Sequence, residues 1–152
     1  AVLGTSGAGK STTALRLIEL GFRVVADDLL VFGQGFQAIP GPPFIRLRPD
    51  QAEGQAGQWD SAGKFRCAVP TCDQPIPINQ IVVLDDTVEH TGPVSGARGV
   101  DLLIRNMASG FVLFPNQRTN RFALATAVAG RIPLLAARSR SLTRAALAKM
   151  VQ

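Results

Sequence analysis

The chain has 152 residues, 46% of them hydrophobic and 18% charged, with a formal net charge of +5. That balance argues for a folded domain and against disorder. No apolar run approaches the roughly 20 residues that span a bilayer as a helix, so no membrane partner is expected.

Only Ala1, Val2 and Leu3 precede a glycine-rich stretch. They read as the remnant of a buried strand, ordinarily about five residues long, and a single domain truncated at its N-terminus is the expectation. No basic-then-apolar leader is visible, and a cytoplasmic location is expected. Ser11 to Leu20 predicts a helix with Ala14, Leu17 and Ile18 on one face, stopped by Gly21. Phe22 to Ala26 predicts a strand that ends at Asp27-Asp28. Leu29 to Phe32 and Phe36 to Ile39 flank Gly33-Gln34-Gly35 as a hairpin. Pro40-Gly41-Pro42-Pro43 interrupts regular structure. Phe44 to Arg48 predicts a strand, Pro49 and Asp50 a short helix, and Gln51 to Gly63 a polar loop. Lys64 to Val69 reads as an edge strand and Pro70 to Pro77 as irregular chain.

Ile81 to Leu84 predicts a buried strand, again followed by paired aspartates, Asp85-Asp86. Ser95 is placed to cap a helix running to about Met107, with Val100, Leu103, Ile104 and Met107 inward. Asn120 to Ala129 reads as a further helix and Pro133 to Ala136 as a short strand. Ser141 is placed to cap a last helix to Val151, with Leu142, Ala146, Leu147 and Met150 inward. Strands and helices alternating behind an N-terminal glycine-rich loop predict an α/β domain, with hairpins that a purely parallel sheet would lack.

The glycine-rich loop fits Gly-x-x-x-x-Gly-Lys-Ser at Gly4, Gly9, Lys10 and Ser11. Glycines allow successive backbone N–H groups to turn toward phosphate oxygens, and a following helix adds its positive N-terminal end. The expected nucleotide-binding stretch is Gly4, Thr5, Ser6, Gly7, Ala8, Gly9, Lys10, Ser11 and Thr12. Lys10 would hold the β- and γ-phosphates of a nucleoside triphosphate, and the Ser11 hydroxyl would ligate Mg²⁺.

Phosphoryl transfer also needs a carboxylate near the metal and often a second to deprotonate the nucleophile. Asp27-Asp28 and Asp85-Asp86 both qualify. The first pair begins seventeen residues beyond Lys10, on a segment expected to lie beside the loop strand. The second ends the more apolar run, in the manner of the metal-binding strand of motor-type ATPases. Four carboxylates at one site would repel one another, so one pair is expected to be peripheral.

Arg46, Arg118 and Arg121 are candidates for neutralising the transferring phosphoryl group. Cys67 and Cys72 have four residues between them, and the sole histidine, His90, is distant. Neither a zinc site nor a disulfide is expected. Arg131, Arg138, Arg140, Arg144 and Lys149 read as a solvated basic surface, and nucleic acid is not an expected partner.

Gly4-Thr5-Ser6-Gly7-Ala8-Gly9-Lys10-Ser11, then Ala14-Leu15, Gly21 and Val25-Ala26-Asp27-Asp28, jointly resemble the C-terminal domain of the HPr kinase/phosphorylase family. Pro40-Gly41-Pro42-Pro43-Phe44-Ile45-Arg46-Leu47 further resembles the shortened HPr-kinase-like proteins of bacteria, some of which occur with peptide-modification enzymes. The resemblance covers about the first 50 residues. It implies a mixed-sheet phosphate-loop fold related to phosphoenolpyruvate carboxykinase, with ATP and Mg²⁺ as cofactors. It implies an ATP-dependent serine kinase acting on a protein or peptide. Asp27 would take the serine proton, and Asp28 with Ser11 would hold Mg²⁺. Hexamers in that family make a homo-oligomer compatible with this reading. The family's Glu-Ile-Arg-Gly segment has its nearest match here in Phe44-Ile45-Arg46-Leu47, without the glutamate. A phosphate-loop ATPase using water as acceptor, and a non-catalytic nucleotide-binding module, are the alternative expectations.

Overall fold

A computed structural model describes residues 1–107 and 117–150, the side chains of 117–119 and 150 excepted. Along the described chain run β1 (Val2–Gly4), α1 (Lys10–Glu19), β2 (Val31–Phe32), β3 (Gln37–Ile39), β4 (Phe44–Leu47), β5 (Gly57–Trp59) and β6 (Phe65–Ala68). There follow β7 (Ile76–Pro77), β8 (Ile81–Leu84), β9 (Gly92–Val94), α2 (Gly96–Asn106), α3 (Gln117–Ala129), β10 (Leu134–Ala137) and α4 (Arg144–Met150). Short 3₁₀ turns occupy Gln34–Phe36, Pro49–Gln51 and Ser139–Ser141. The protein is mixed α/β, with one partly parallel sheet and two antiparallel ones among the described residues. It divides into two units, Ala1–Lys10 with Ile78–Leu142, and Ser11–Pro77 with Thr143–Gln152.

The first unit is built around β8, whose four residues are all buried. An unbroken run of large apolar residues is what a strand covered on both faces requires. Its neighbours β1 and β10 are both parallel to it, and β9 closes the order β1-β8-β10-β9 antiparallel. Helices α2 and α3 pack together, and Arg121 of α3 donates to the carbonyls of Ile104 and Met107 at the C-terminal end of α2. Gly99 lets α2 approach the sheet, since a Cβ there would lie 2.9 Å from Leu134 Cδ1.

In the second unit β4, β6 and β5 form an antiparallel sheet in the order β4-β6-β5. One face supplies the core, Ile45, Leu47, Phe65 and Cys67, against which Leu15 and Ile18 of α1 pack. The alternation in Phe44-Ile45-Arg46-Leu47 puts Ile45 and Leu47 inside and Phe44 and Arg46 on the opposite face. A second small sheet has the order β2-β3-β7.

Several sequence expectations are corrected. Phe22 to Ala26 forms no strand; Val24 makes an isolated bridge to Thr71, and the partner of the loop strand β1 is β8. Strands β5 and β7 arise in segments read as loop or irregular chain, and β9 in a segment given no reading; β7 and β9 pair with strands far along the chain, whereas β5 makes a local hairpin with β6 across the Asp60 turn. Strand β6 is central to its sheet rather than an edge. In α2 the buried residues are Gly99, Leu102 and Leu103, because the small Gly99 turns its own side of the helix to the sheet. Ser95 occupies the N-cap position without a side-chain capping bond. Helix α3 begins at Gln117, ahead of the expected Asn120. Helix α4 begins at Arg144 and is capped by Thr143, whose Oγ1 accepts the Ala146 N–H at 3.2 Å; Ser141 instead donates to the Arg138 carbonyl at 2.7 Å. Val151 lies outside the described residues.

Candidate functional site

The phosphate-loop sequence leaves β1 at Gly4, at the C-terminal edge of the parallel strands. Gly4 pairs in register with Leu84 of β8, and a Cβ on Gly4 would lie 3.0 Å from Ala8 Cβ and 3.1 Å from Leu84 Cβ. The chain then curls through a turn in which Ala8 N–H donates to the Thr5 carbonyl at 3.2 Å. Gly7 and Gly9 take φ values of 86° and 91°, the left-handed region that side-chain-bearing residues avoid. A Cβ on Gly9 would collide with the Ser139 hydroxyl. Lys10 donates from Nζ to the carbonyls of Gly4 at 2.8 Å and Thr5 at 2.9 Å. Its ammonium therefore sits over the start of the loop. The C-terminal edge of parallel strands is where α/β sheets place their ligands.

Asp85 leaves that same edge, one residue past Leu84. Its backbone N–H continues the ladder to the Ala137 carbonyl at 2.9 Å. Its carboxylate turns back on its own chain, accepting the Thr87 N–H at 2.9 Å and the Thr87 hydroxyl at 2.7 Å. The Thr87 hydroxyl and then its amide hold the Asp85 carboxyl below the usual range, with smaller help from the charges of Arg98 and Arg105.

In the second unit, Ser11, Asp27 and Asp28 meet on one residue, Arg46. The Ser11 hydroxyl donates to the Arg46 carbonyl at 3.3 Å. The Arg46 N–H donates to Asp27 Oδ2 at 2.7 Å. The Arg46 guanidinium donates from Nη1 to Asp28 Oδ2 at 3.1 Å. Thr12 is held nearby in sequence by Gln51, whose amide donates to its hydroxyl at 2.7 Å. Asp28 adopts φ 56°, a left-handed conformation in which a non-glycine residue carries strain. The Leu29 N–H closes a tight turn onto the Asp27 carbonyl. Burial pushes the Asp27 carboxyl above the usual range, and the neighbouring Asp28 charge adds to it; the amides of Arg46 and Asp28 and the charge of Lys64 pull the other way.

A further acid completes this cluster. Asp60 Oδ2 lies 3.3 Å from Arg46 Nε and 3.5 Å from Arg66 Nε. The Ala62 and Lys64 amides donate to Asp60 Oδ1 at 2.9 Å and 3.0 Å, and the Lys64 amide foremost holds this carboxyl below the usual range. Sequence reading placed Asp60 in a loop. The Asp-x-Ala-x-Lys spacing of a side-chain-closed turn was the signal that could have marked it.

Of the three candidate arginines, Arg46 joins the acidic pair, while Arg121 is committed to the end of α2. The side chain of Arg118 lies outside the described residues. Cys67 and Cys72 are both free thiols, and burial pushes the Cys67 thiol up. Among the described residues, no three His, Cys, Asp or Glu side chains group to hold a metal. A Mg²⁺ that keeps its waters and binds substrate phosphates needs only one or two protein oxygens. The Asp28 carboxylate and the Ser11 hydroxyl, both in contact with Arg46, are hard oxygen donors of the kind such an ion takes. Comparison with protein-family models, with curated proteins and with solved structures returned no match.

Proposed function

We propose that this chain binds ATP on the Gly4–Thr12 stretch and transfers the γ-phosphate to a serine hydroxyl of a protein or peptide. The observation that carries this reading is the convergence of Ser11, Asp27 and Asp28 on Arg46. Residues 11, 27, 28 and 46 are scattered in sequence, and they include the base and the metal ligands that such a reaction requires.

Each group has a role its chemistry suits. Lys10 and the loop amides bind the β- and γ-phosphates. Asp28 and Ser11 would hold Mg²⁺, which when bound neutralises phosphate charge. Asp27 accepts the proton of the serine hydroxyl as its oxygen bonds to the γ-phosphorus and the bond from that phosphorus to the β–γ bridging oxygen breaks, releasing ADP. A carboxyl raised by burial is a better proton acceptor than an ordinary aspartate. Arg46 places its positive charge beside Asp28 and its amide on Asp27, and that charge favours the build-up of negative charge on the transferred group.

A second reading has its own support. Asp85 directly follows Leu84, the register partner of Gly4, so an acid stands just past the end of the strand neighbouring the loop strand. In this reading Asp85 serves the metal, water is the acceptor and the chain is an ATPase.

ATP labelled at the γ-phosphate separates the two. Incubated with serine-containing peptides, the kinase yields labelled phosphoserine; the ATPase yields labelled inorganic phosphate and leaves the peptides unlabelled. Lys10→Ala is expected to weaken ATP binding under either reading, and unchanged affinity in that variant would remove the loop from both.

A further inference from the structure

The solvent-facing side of the β4-β6-β5 sheet carries a side chain, Arg66, that the phosphotransfer chemistry does not use. Arg46 and Arg66 are directly opposed across β4 and β6. Two like charges in register weaken a sheet, and here both Nε atoms are drawn to the single carboxylate of Asp60. Both guanidinia also lie over the Phe44 ring, Arg66 at 5.0 Å from its centroid and Arg46 at 5.9 Å. Arg46 goes on to Asp28. Arg66 does not: among the described residues its Nη atoms donate no hydrogen bond.

Arg66 borders a cavity of about 330 Å³, lined also by Pro43, Phe44, Gly57, Gln58 and Ala68. The lining holds one cation and no carboxylate. Gly57 and Gln58 belong to β5, the outer strand of the sheet, which is exposed along its whole length. The Arg66 Nε makes no hydrogen bond, but its guanidinium is ion-paired to Asp60 on that side and stacked on an aromatic ring, and so presents its remaining N–H groups as a fork that matches a carboxylate. A free strand edge pairs with the backbone of an extended peptide.

We propose that this face, at Arg66, Phe44 and the edge of β5, binds an extended acidic peptide. Its glutamate or aspartate side chain meets Arg66 while its backbone adds to β5. The inference deepens the proposed function and rests on it in one respect, that the bound peptide carries the acceptor serine. Asp60 is a positioning residue here: it holds the Nε side of Arg66 and leaves the outer fork to the ligand. The free strand edge favours a peptide over a nucleic acid, because a peptide backbone offers the alternating donors and acceptors that a strand edge takes.

The test is a fluorescence-anisotropy titration of the full chain, without nucleotide. The probes are a short labelled peptide with several glutamates around a serine, its glutamine counterpart and a labelled single-stranded oligothymidine. The acidic peptide is expected to bind about tenfold or more tightly than the glutamine peptide, the scale of one charge-assisted contact. Arg66→Gln is expected to remove most of that preference. Gln58→Glu, at an exposed position that leaves the core untouched, is expected to do the same by repulsion. Equal binding of the two peptides overturns the proposal, as does a preference that survives Gln58→Glu, or Arg66-dependent binding of the oligothymidine in place of the peptide. Adding labelled ATP afterwards separates the two inferences. Acid-dependent binding without phosphoserine counts against the kinase alone. Phosphoserine formed equally well on both peptides counts against the acidic site alone.

Discussion

Asp27-Asp28 and Asp85-Asp86 are the same dipeptide following the same kind of apolar run, yet the first carboxyl of each is shifted in the opposite direction. Ile81–Leu84 is a full ladder strand with all four residues buried, and Asp85 leaves it with its N–H still paired to Ala137. Its carboxylate then accepts twice from Thr87 and is held as an anion. Val24-Val25-Ala26 joins no ladder beyond the bridge of Val24 to Thr71. The chain turns sharply at Asp28, and Asp27 is left partly buried beside a second carboxylate. The Arg46 amide offsets only part of the desolvation, and the proton is held more tightly. A well-satisfied carboxylate is a poor base and a good fixed charge; a carboxyl denied water is the reverse.

The sharpest way to break this contrast is to replace each aspartate by asparagine in turn. Asp27→Asn is expected to lower phosphoserine formation by about 10²–10⁴-fold, the usual contribution of a general base, with ATP affinity nearly unchanged. Asp85→Asn is expected to leave transfer within a few-fold of wild type. Rates measured with labelled ATP and a serine peptide decide it. If Asp85→Asn abolishes phosphate release while Asp27→Asn does not, the roles of the two pairs are exchanged and the ATPase reading stands.

The two pairs also show where sequence reading succeeds. Val2–Gly4, Lys10–Glu19 and Ile81–Leu84 were legible because their signals are local: a glycine spacing, a helical apolar stripe and a continuous apolar run. The alternation over Phe44 to Arg48 likewise announced a strand, formed over Phe44–Leu47. What stayed hidden was pairing. Gln58 meets Arg66, and Gly92 meets Ala136, and no residue in either strand advertises its partner. The cluster on Arg46 was legible only in part. Ser11, Asp27 and Asp28 were marked by motif and resemblance, but Asp60 reaches the cluster through a turn closed by its own side chain, which reads in sequence as ordinary polar loop.

A second test asks whether Asp27 depends on the sheet beneath Arg46. Ile45 is 1% exposed and precedes Arg46 in β4. Ile45→Ala is expected to cost about 2–5 kcal/mol of stability by the cavity it leaves. It is also expected to loosen the Arg46 amide that Asp27 accepts, lowering transfer in protein that is still folded. Urea denaturation measures the first effect, and the rate at low temperature the second. A variant destabilised by that amount with a full transfer rate would show that Asp27 does not need the Arg46 amide for its role.

Stability against pH sharpens the contrast further, because the two shifts have opposite signs. The folded state holds the Asp27 proton more tightly than the unfolded state does. Its ionisation therefore destabilises the fold as pH rises from near the ordinary value of 3.8 through the raised folded value. Above that window Asp27→Asn is expected to melt higher than wild type, and below it the gain is expected to vanish. A lower melting temperature for Asp27→Asn at neutral pH would show that hydrogen bonding outweighs burial at this carboxyl.

Asp85 gives the smallest effect and the opposite slope. Its folded value lies below the ordinary 3.8, so its anion stabilises the fold fully above that value, and the contribution is lost as pH falls through the folded one. Asp85→Ala removes both bonds from Thr87, which are exposed to solvent. The expected loss is about 1 kcal/mol or less at neutral pH, shrinking toward zero in acid where the wild-type carboxyl is also protonated. Thermal melts of wild type, Asp85→Ala and Thr87→Ala at neutral and acid pH measure it. Thr87→Ala isolates the hydroxyl, since its backbone N–H still donates to Asp85, and is expected to lose less than Asp85→Ala. If Asp85→Ala instead melts higher than wild type at neutral pH, the Asp85 anion is destabilising, and the two pairs differ only in position along the fold.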